Sequence, residues 1–200
     1  MTTTTTTKPN VFIIESLRFQ DEASNYFEGH IISSILTFGD IEHKYYYIRT
    51  KAELIRLLEE FNNSNYRYLH ISMHGNKNSL GTTLDDLPFK DLSFILENCL
   101  DNKGLFISAC SAVNKLLATE IFGLTDCYSI IGPHKDIDMD DAAIFWASFY
   151  HLMFKQNKKS MKRDVLEQTL KDLVKTHKIP ITYFTASKAS DKNFKEVILK

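Results

Sequence analysis

Tyr68-Leu-His-Ile-Ser-Met-His74-Gly75 and Gly104-Leu-Phe-Ile-Ser-Ala-Cys110 decide how this chain is read. Each is an apolar, β-type run that stops on a residue able to do chemistry, the first on a histidine followed by glycine, the second on a cysteine. Laid side by side in one parallel sheet, the two runs bring His74 and Cys110 to the same C-terminal edge. Open α/β sheets form their sites at that edge. A Cys–His pair is the minimal kit for thiolate nucleophilic catalysis, so the chemistry expected is that of a cysteine hydrolase.

Working outward, Val11-Phe-Ile-Ile14 reads as a buried first strand and Tyr45-Tyr-Tyr-Ile48 as an aromatic second one. Between them, residues 21–38 carry apolar positions that fit a helix. Thr50 with Glu53 forms a capping box for a helix ending near Phe61. Asn76 to Pro88 reads as a polar loop or small hairpin. Helices are expected over about 90–99 and 114–122, a strand at Tyr128-Ser-Ile-Ile131, then helices over 142–154 and about 161–176. A last strand falls at Ile181-Thr-Tyr-Phe184, followed by a polar tail. Six strands alternating with helices predict a three-layer α/β/α sandwich around a mostly parallel six-stranded sheet. Residues 1–9, with threonines from Thr2 to Thr7, are expected to be disordered, and 10–200 to form one domain.

The 200 residues include 44% hydrophobic and 24% charged positions, the balance of a soluble globular protein. A net charge of −1 gives no reason to expect nucleic acid as a partner. No apolar run reaches the roughly 18 residues that span a bilayer, and the N-terminus has no basic-then-apolar signal pattern. A cytoplasmic location without membrane attachment is the expectation. The three cysteines, Cys99, Cys110 and Cys127, form neither a disulfide framework nor a CxxC zinc site. Cys99 and Cys127 read as core residues. His70, His74 and Cys110 compose an alternative zinc set, but no nearby acid or second cysteine completes it at a usual spacing. No metal or cofactor is therefore expected, and His70 reads as a histidine buried beneath the site.

In the catalytic reading, His74 activates Cys110 and then protonates the leaving amine. The N–H groups of Gly75 and Cys110 are the natural oxyanion donors. A third residue orienting His74 is unassigned, and a dyad would suffice.

A strand ending in His-Gly, followed 36 residues later (110 − 74) by one ending in Ser-Ala-Cys, resembles the caspase-like fold, most of all its CHAT branch. Tyr128-Ser-Ile-Ile-Gly-Pro133 and Asp141-Ala-Ala-Ile-Phe-Trp-Ala-Ser-Phe-Tyr150 are similar to that branch's strand and Phe-Tyr helix. The resemblance spans about residues 11–184. It implies peptide-bond hydrolysis with His74 and the Cys110 nucleophile as a dyad, and a substrate pocket touching Ser108, two residues before the cysteine. Caspases carry Gln and metacaspases Asp at that position. The loop bearing Asp136, Asp138 and Asp140 would line the same pocket and favour a basic or polar residue before the cut; these acids also read as solvated loop charges. The resemblance further implies a dedicated protein substrate such as a gasdermin-like pore former, control by a separate sensor or regulatory protein, and a role in microbial defence or regulated cell death. Two alternatives stand beside it. One is a catalytically silent caspase-like module that binds a partner. The other is a flavodoxin-like or response-regulator-like domain, which would need a Gly-rich loop or an acidic pair where Glu15-Ser-Leu-Arg18 stands.

Overall fold

The structure, a computed structural model, describes residues 7–199. Lys8–Glu15 forms β1, followed by α1 (Phe19–Ala23), α2 (Glu28–Phe38), β2 (His43–Tyr47), α3 (Lys51–Ser64) and β3 (Tyr66–Ser72). A small hairpin sheet comes next, made of β4 (His74–Gly75), β5 (Ser79–Gly81) and β6 (Asp86–Pro88). The chain continues through α4 (Phe89–Leu96), β7 (Gly104–Ser108), α5 (Lys115–Leu124), β8 (Ser129–Pro133), α6 (Met139–Gln156), α7 (Arg163–His177), β9 (Ile181–Ala186) and β10 (Phe194–Val197).

The main sheet runs β10-β9-β8-β7-β3-β1-β2. Neighbours from β2 to β8 are parallel, and β9 and β10 are antiparallel additions. It therefore has seven strands rather than the expected six. The extra strand falls in the polar tail, where Phe194 is the one buried residue of the strand and Val197 is half-buried against the other core. The Phe194 ring stacks on Phe122 at 5.3 Å and meets Phe184 edge-on at 5.4 Å. Lys195 and Glu196 stay exposed, as suits an edge strand.

Period-two alternation places the core on both faces of the sheet. Phe12 and Ile14 of β1, Leu69 and Ile71 of β3, and Leu105 and Ile107 of β7 pack with α3, α4 and α5. Val11, Ile13, Tyr68 and Phe106 face the other way, onto α2, α6 and α7. A second core is built there around Trp146, Phe149 and Tyr150, all fully buried.

Three expectations need correction. The threonine tract lies, apart from Thr7, outside the described residues, but Lys8 and Pro9 join β1, with Lys8 opposite Tyr66. The helix expected over 21–38 is two helices, because Asn25 takes a left-handed φ of 58° and turns the chain between α1 and α2. β3 ends at Ser72, so His74 stands on β4 of the small sheet and not on the same strand as His70.

Candidate active site

The register of the main sheet creates the site. β3 and β7 pair in parallel with Ser72 opposite Ser108, and His74 and Cys110 each lie two residues beyond that pair. The Met73 N–H donates to the Ser108 carbonyl at 3.0 Å, carrying the pairing one step further. Both chains then leave the sheet at its C-terminal edge, where His74, Ala109 and Cys110 line a narrow cleft of about 70 Å³ with Leu17, Glu28 and Ile137.

Gly75 lets the two strand ends close on each other. A Cβ placed there would stand 2.8 Å from the Ala109 Cβ and 3.1 Å from the Cys110 carbonyl oxygen. Asn76 N–H donates to the Ser79 carbonyl, which makes 76/79 a hydrogen-bonded pair of the hairpin. Antiparallel pairs alternate, so the Gly75 N–H, opposite Leu80, turns away from β5. The Cys110 N–H has no hydrogen-bond partner among the described residues. Both expected oxyanion donors are thus uncommitted.

Cys110 sits on a turn laced to the loop after β8. Ser111, the next residue, holds a φ of 57°, a strained conformation for a residue with a side chain. The strain is held by the Ser111 N–H donating to the Lys135 carbonyl at 3.0 Å and its hydroxyl donating to Asp136 Oδ1 at 2.8 Å. The Cys110 thiol donates to the Ile137 carbonyl at 3.5 Å. Cys99 and Cys127 are buried, and burial pushes both thiols up, that of Cys127 to about 12. Of the three thiols Cys110 alone is partly open to solvent.

His74 has a partner that carries no mark in the sequence. Its Nε2 lies 2.7 Å from Asp21 Oδ2 on α1, and the two side chains are 26% and 21% exposed. A carboxylate there fixes the ring and the tautomer with hydrogen on Nε2, leaving Nδ1 for the reacting group. Asp21 lies 53 residues upstream of His74. The one available clue was topological, because residues just after β1 must emerge at the same sheet edge.

Glu28, the first residue of α2, is the second unmarked residue. It is 6% exposed and accepts from the Ser108 hydroxyl at 2.8 Å, while its other oxygen lies 3.4 Å from His70 Nε2. Its oxygens thus hold Ser108, one of the residues expected to line the substrate pocket. His70 is fully buried beneath the cleft and pairs through Nδ1 with the Tyr150 hydroxyl at 3.0 Å. Glu28 and Met139 also border a wider pocket of about 590 Å³ lined by Asn25, Tyr26, Asp138 and Asp140. That lining holds three acids and no Lys or Arg. Asp136 is not among them, because the Ser111 hydroxyl engages it on the far side of the Cys110 turn. Asp136, Asp138 and Asp140 therefore do not line one pocket as expected.

The chain matches no protein-family model and no curated protein sequence. Solved structures do resemble it. A caspase-1 from Spodoptera frugiperda superposes with a TM-score of 0.55 at 13% identity, over 96% of this chain and 85% of that one. A secreted C11 cysteine protease from Bacteroides thetaiotaomicron, solved with an irreversible peptide inhibitor, gives 0.54 at 11% identity over 89% of this chain. This chain spans 66% of the C11 protease's length, just under two thirds. The fold is caspase-like: a mostly parallel seven-stranded sheet between two helical layers, with His74 and Cys110 at its C-terminal edge.

Proposed function

We propose that this chain is a cysteine endopeptidase acting through Cys110, His74 and Asp21. The observation that carries the reading is the Asp21–His74 pair at 2.7 Å, whose histidine lines the same cleft as the most accessible of the three thiols. His74 Nδ1 takes the Cys110 proton, and the thiolate attacks the substrate carbonyl. The Gly75 and Cys110 N–H groups hold the oxyanion. The imidazolium, oriented by Asp21, returns the proton to the leaving amine as the C–N bond breaks. Water then attacks the thioester, giving its proton to His74 and releasing the acid and the thiol.

The residue before the cut is basic in this proposal. Glu28 at the floor, Ser108 beside it and Asp138 and Asp140 at the mouth form an acidic recess next to the nucleophile. Asp136 acts in the proposal by holding the Cys110 turn rather than by touching substrate. The resting thiol donates to the Ile137 carbonyl, a contact that supports control by a separate protein that moves the 134–138 loop. Three free cysteines support a reducing compartment, the cytoplasm. Among the described residues no helix is long and apolar enough to cross a membrane. The Phe149-Tyr150 pair on α6, with Tyr150 bonded to His70, supports placement in the CHAT branch, and with it a dedicated protein substrate in defence or cell death.

The test is labelling by peptides that carry an electrophile, varied at the residue before it. Modification confined to Cys110, abolished in Cys110→Ala and strongest with Arg or Lys, is the expected result. An unreactive Cys110 across the panel, with and without cell lysate as a source of activator, refutes it.

A further inference from the structure

Among the described residues Asp21 is the only acid bonded to His74, yet the element that carries it has little to hold it. α1 has five residues and none is buried. A helix so short has no stability of its own in water. Its docking comes from outside, and chiefly from one residue. Arg49, in the turn between β2 and α3, donates from Nε to Glu22 Oε1 at 2.9 Å and from Nη2 to Glu22 Oε2 at 2.7 Å. The same guanidinium lies 5.8 Å from the centroid of the Phe19 ring. Phe19 and Glu22 are three apart and share one side of α1, so Arg49 grips both ends of a single helical turn. The Tyr47 hydroxyl donates to the same Glu22 carboxylate and accepts from the Leu17 N–H at 3.3 Å.

Arg49 is itself anchored. Its N–H donates to Glu53 Oε2 at 2.9 Å, within the capping box of α3, and its carbonyl accepts from the Leu84 N–H at 3.0 Å. A continuous path therefore runs from the α3 cap through Arg49 and Glu22 to Asp21 and on to the His74 ring. We propose that Arg49 is a positioning residue for His74: its planar, bidentate hold on Glu22 docks α1 and sets the aim of Asp21. A lysine, a point charge without the fork, meets only part of this need. The inference rests on the protease reading for its consequence in rate, but not for its geometry.

The full-length chain is compared with Arg49→Ala, Arg49→Lys, Glu22→Gln, Asp21→Asn and the Arg49→Ala/Asp21→Asn double variant. Two readouts are used: the 15N spectrum of the His74 ring in the resting protein, assigned against His74→Asn, and kcat and KM on the preferred peptide. In the wild type the ring holds one tautomer, hydrogen on Nε2. Arg49→Ala and Glu22→Gln give a tautomer mixture and lower kcat about 10- to 100-fold, the scale of a misplaced catalytic group, with KM little changed. Arg49→Lys is intermediate, and the double variant is no slower than Asp21→Asn alone. An unchanged His74 spectrum in Arg49→Ala overturns the proposal whatever the rates, and so does a fully additive double variant. If the wild type hydrolyses nothing, the protease reading fails, while the ring spectrum still decides the latch.

Discussion

Replacing Gly75 with alanine separates the demands of the site from those of the fold. The new methyl carbon would sit 2.8 Å from the Ala109 Cβ, 3.1 Å from the Cys110 carbonyl oxygen and 3.3 Å from the Ala112 Cβ. Carbon atoms pack best from about 3.5 Å outwards, so the two strand ends must part by about 0.7 Å. Neither side has a flexible tip to move, because the contacts are a backbone oxygen and two alanine Cβ atoms. Overpacking of this kind costs about 1–3 kcal/mol, a loss that a folded domain survives. The parting displaces His74 and the Gly75 N–H relative to Cys110, and a misplacement approaching 1 Å costs about 100-fold in rate. The expected outcome is a fall of that order in kcat/KM with a cooperative melt retained at lower temperature. Gly81→Ala is the control, since its nearest neighbour would be the His74 Cβ at 3.9 Å, an ordinary contact. Peptide hydrolysis and thermal denaturation of the same preparations decide the matter. Wild-type kcat/KM in Gly75→Ala would refute the claim that close approach at this glycine sets the His74–Cys110 geometry.

Other outcomes follow from single residues. Glu28→Gln should cut the preference for Arg over Leu before the scissile bond by about 10- to 100-fold, the weight of a charge-assisted hydrogen bond of roughly 1.5–3 kcal/mol. Competition between the two labelled peptides measures it, and an unchanged ratio rules Glu28 out as the pocket floor. Glu15 is buried, and burial raises its carboxyl from 4.5 to about 7 despite hydrogen bonds from Gly29 N–H and the Tyr45 hydroxyl. Between those pH values the native state keeps a proton that the unfolded chain has released. Its contribution is complete below 4.5 and lost as pH rises to 7, about 3 kcal/mol in all. Urea unfolding of wild type and Glu15→Gln across pH 4.5–7 should show a decline in the former that the latter lacks; parallel curves would contradict it. Iodoacetamide should modify Cys110 in the native protein and reach Cys99 and Cys127 only after denaturation, as mass spectrometry of the peptides would show. Gly132→Ala should abolish cooperative folding, because its Cβ would lie 2.1 Å from the Ile107 carbonyl oxygen; a native-like melt would be inconsistent with that packing.

What was legible in the sequence was what periodicity and chain order encode. Strands that bury both faces read as apolar runs, and two runs ending in His-Gly and Ala-Cys had to surface at one edge once the sheet was parallel. The remainder depends on contacts between distant residues. Asp21 lies in a polar stretch whose composition fits any surface helix, and its pairing with His74 exists only once α1 has docked on residues far away in the chain. Glu28 looks like an ordinary acid at a helix start; its burial against Ser108 and His70 exists only after α2 has packed on the sheet. β10 stayed hidden because Phe194 and Val197, three apart and set against different cores, give neither a continuous apolar run nor a period-two pattern. The aspartates after β8 misled for a related reason: sequence spacing cannot tell which of them the Ser111 hydroxyl claims.

Since α1 buries nothing, substitutions along it should leave the thermodynamics of the fold almost untouched and, in the proposed protease, register in turnover. Selection on abundance or heat tolerance is blind to this stretch, whereas selection on catalytic output reads it directly. On that reading the protein keeps its rate control and its solidity in separate drawers, and a lineage can retune the proposed activity at Phe19–Ala23 without renegotiating either hydrophobic core.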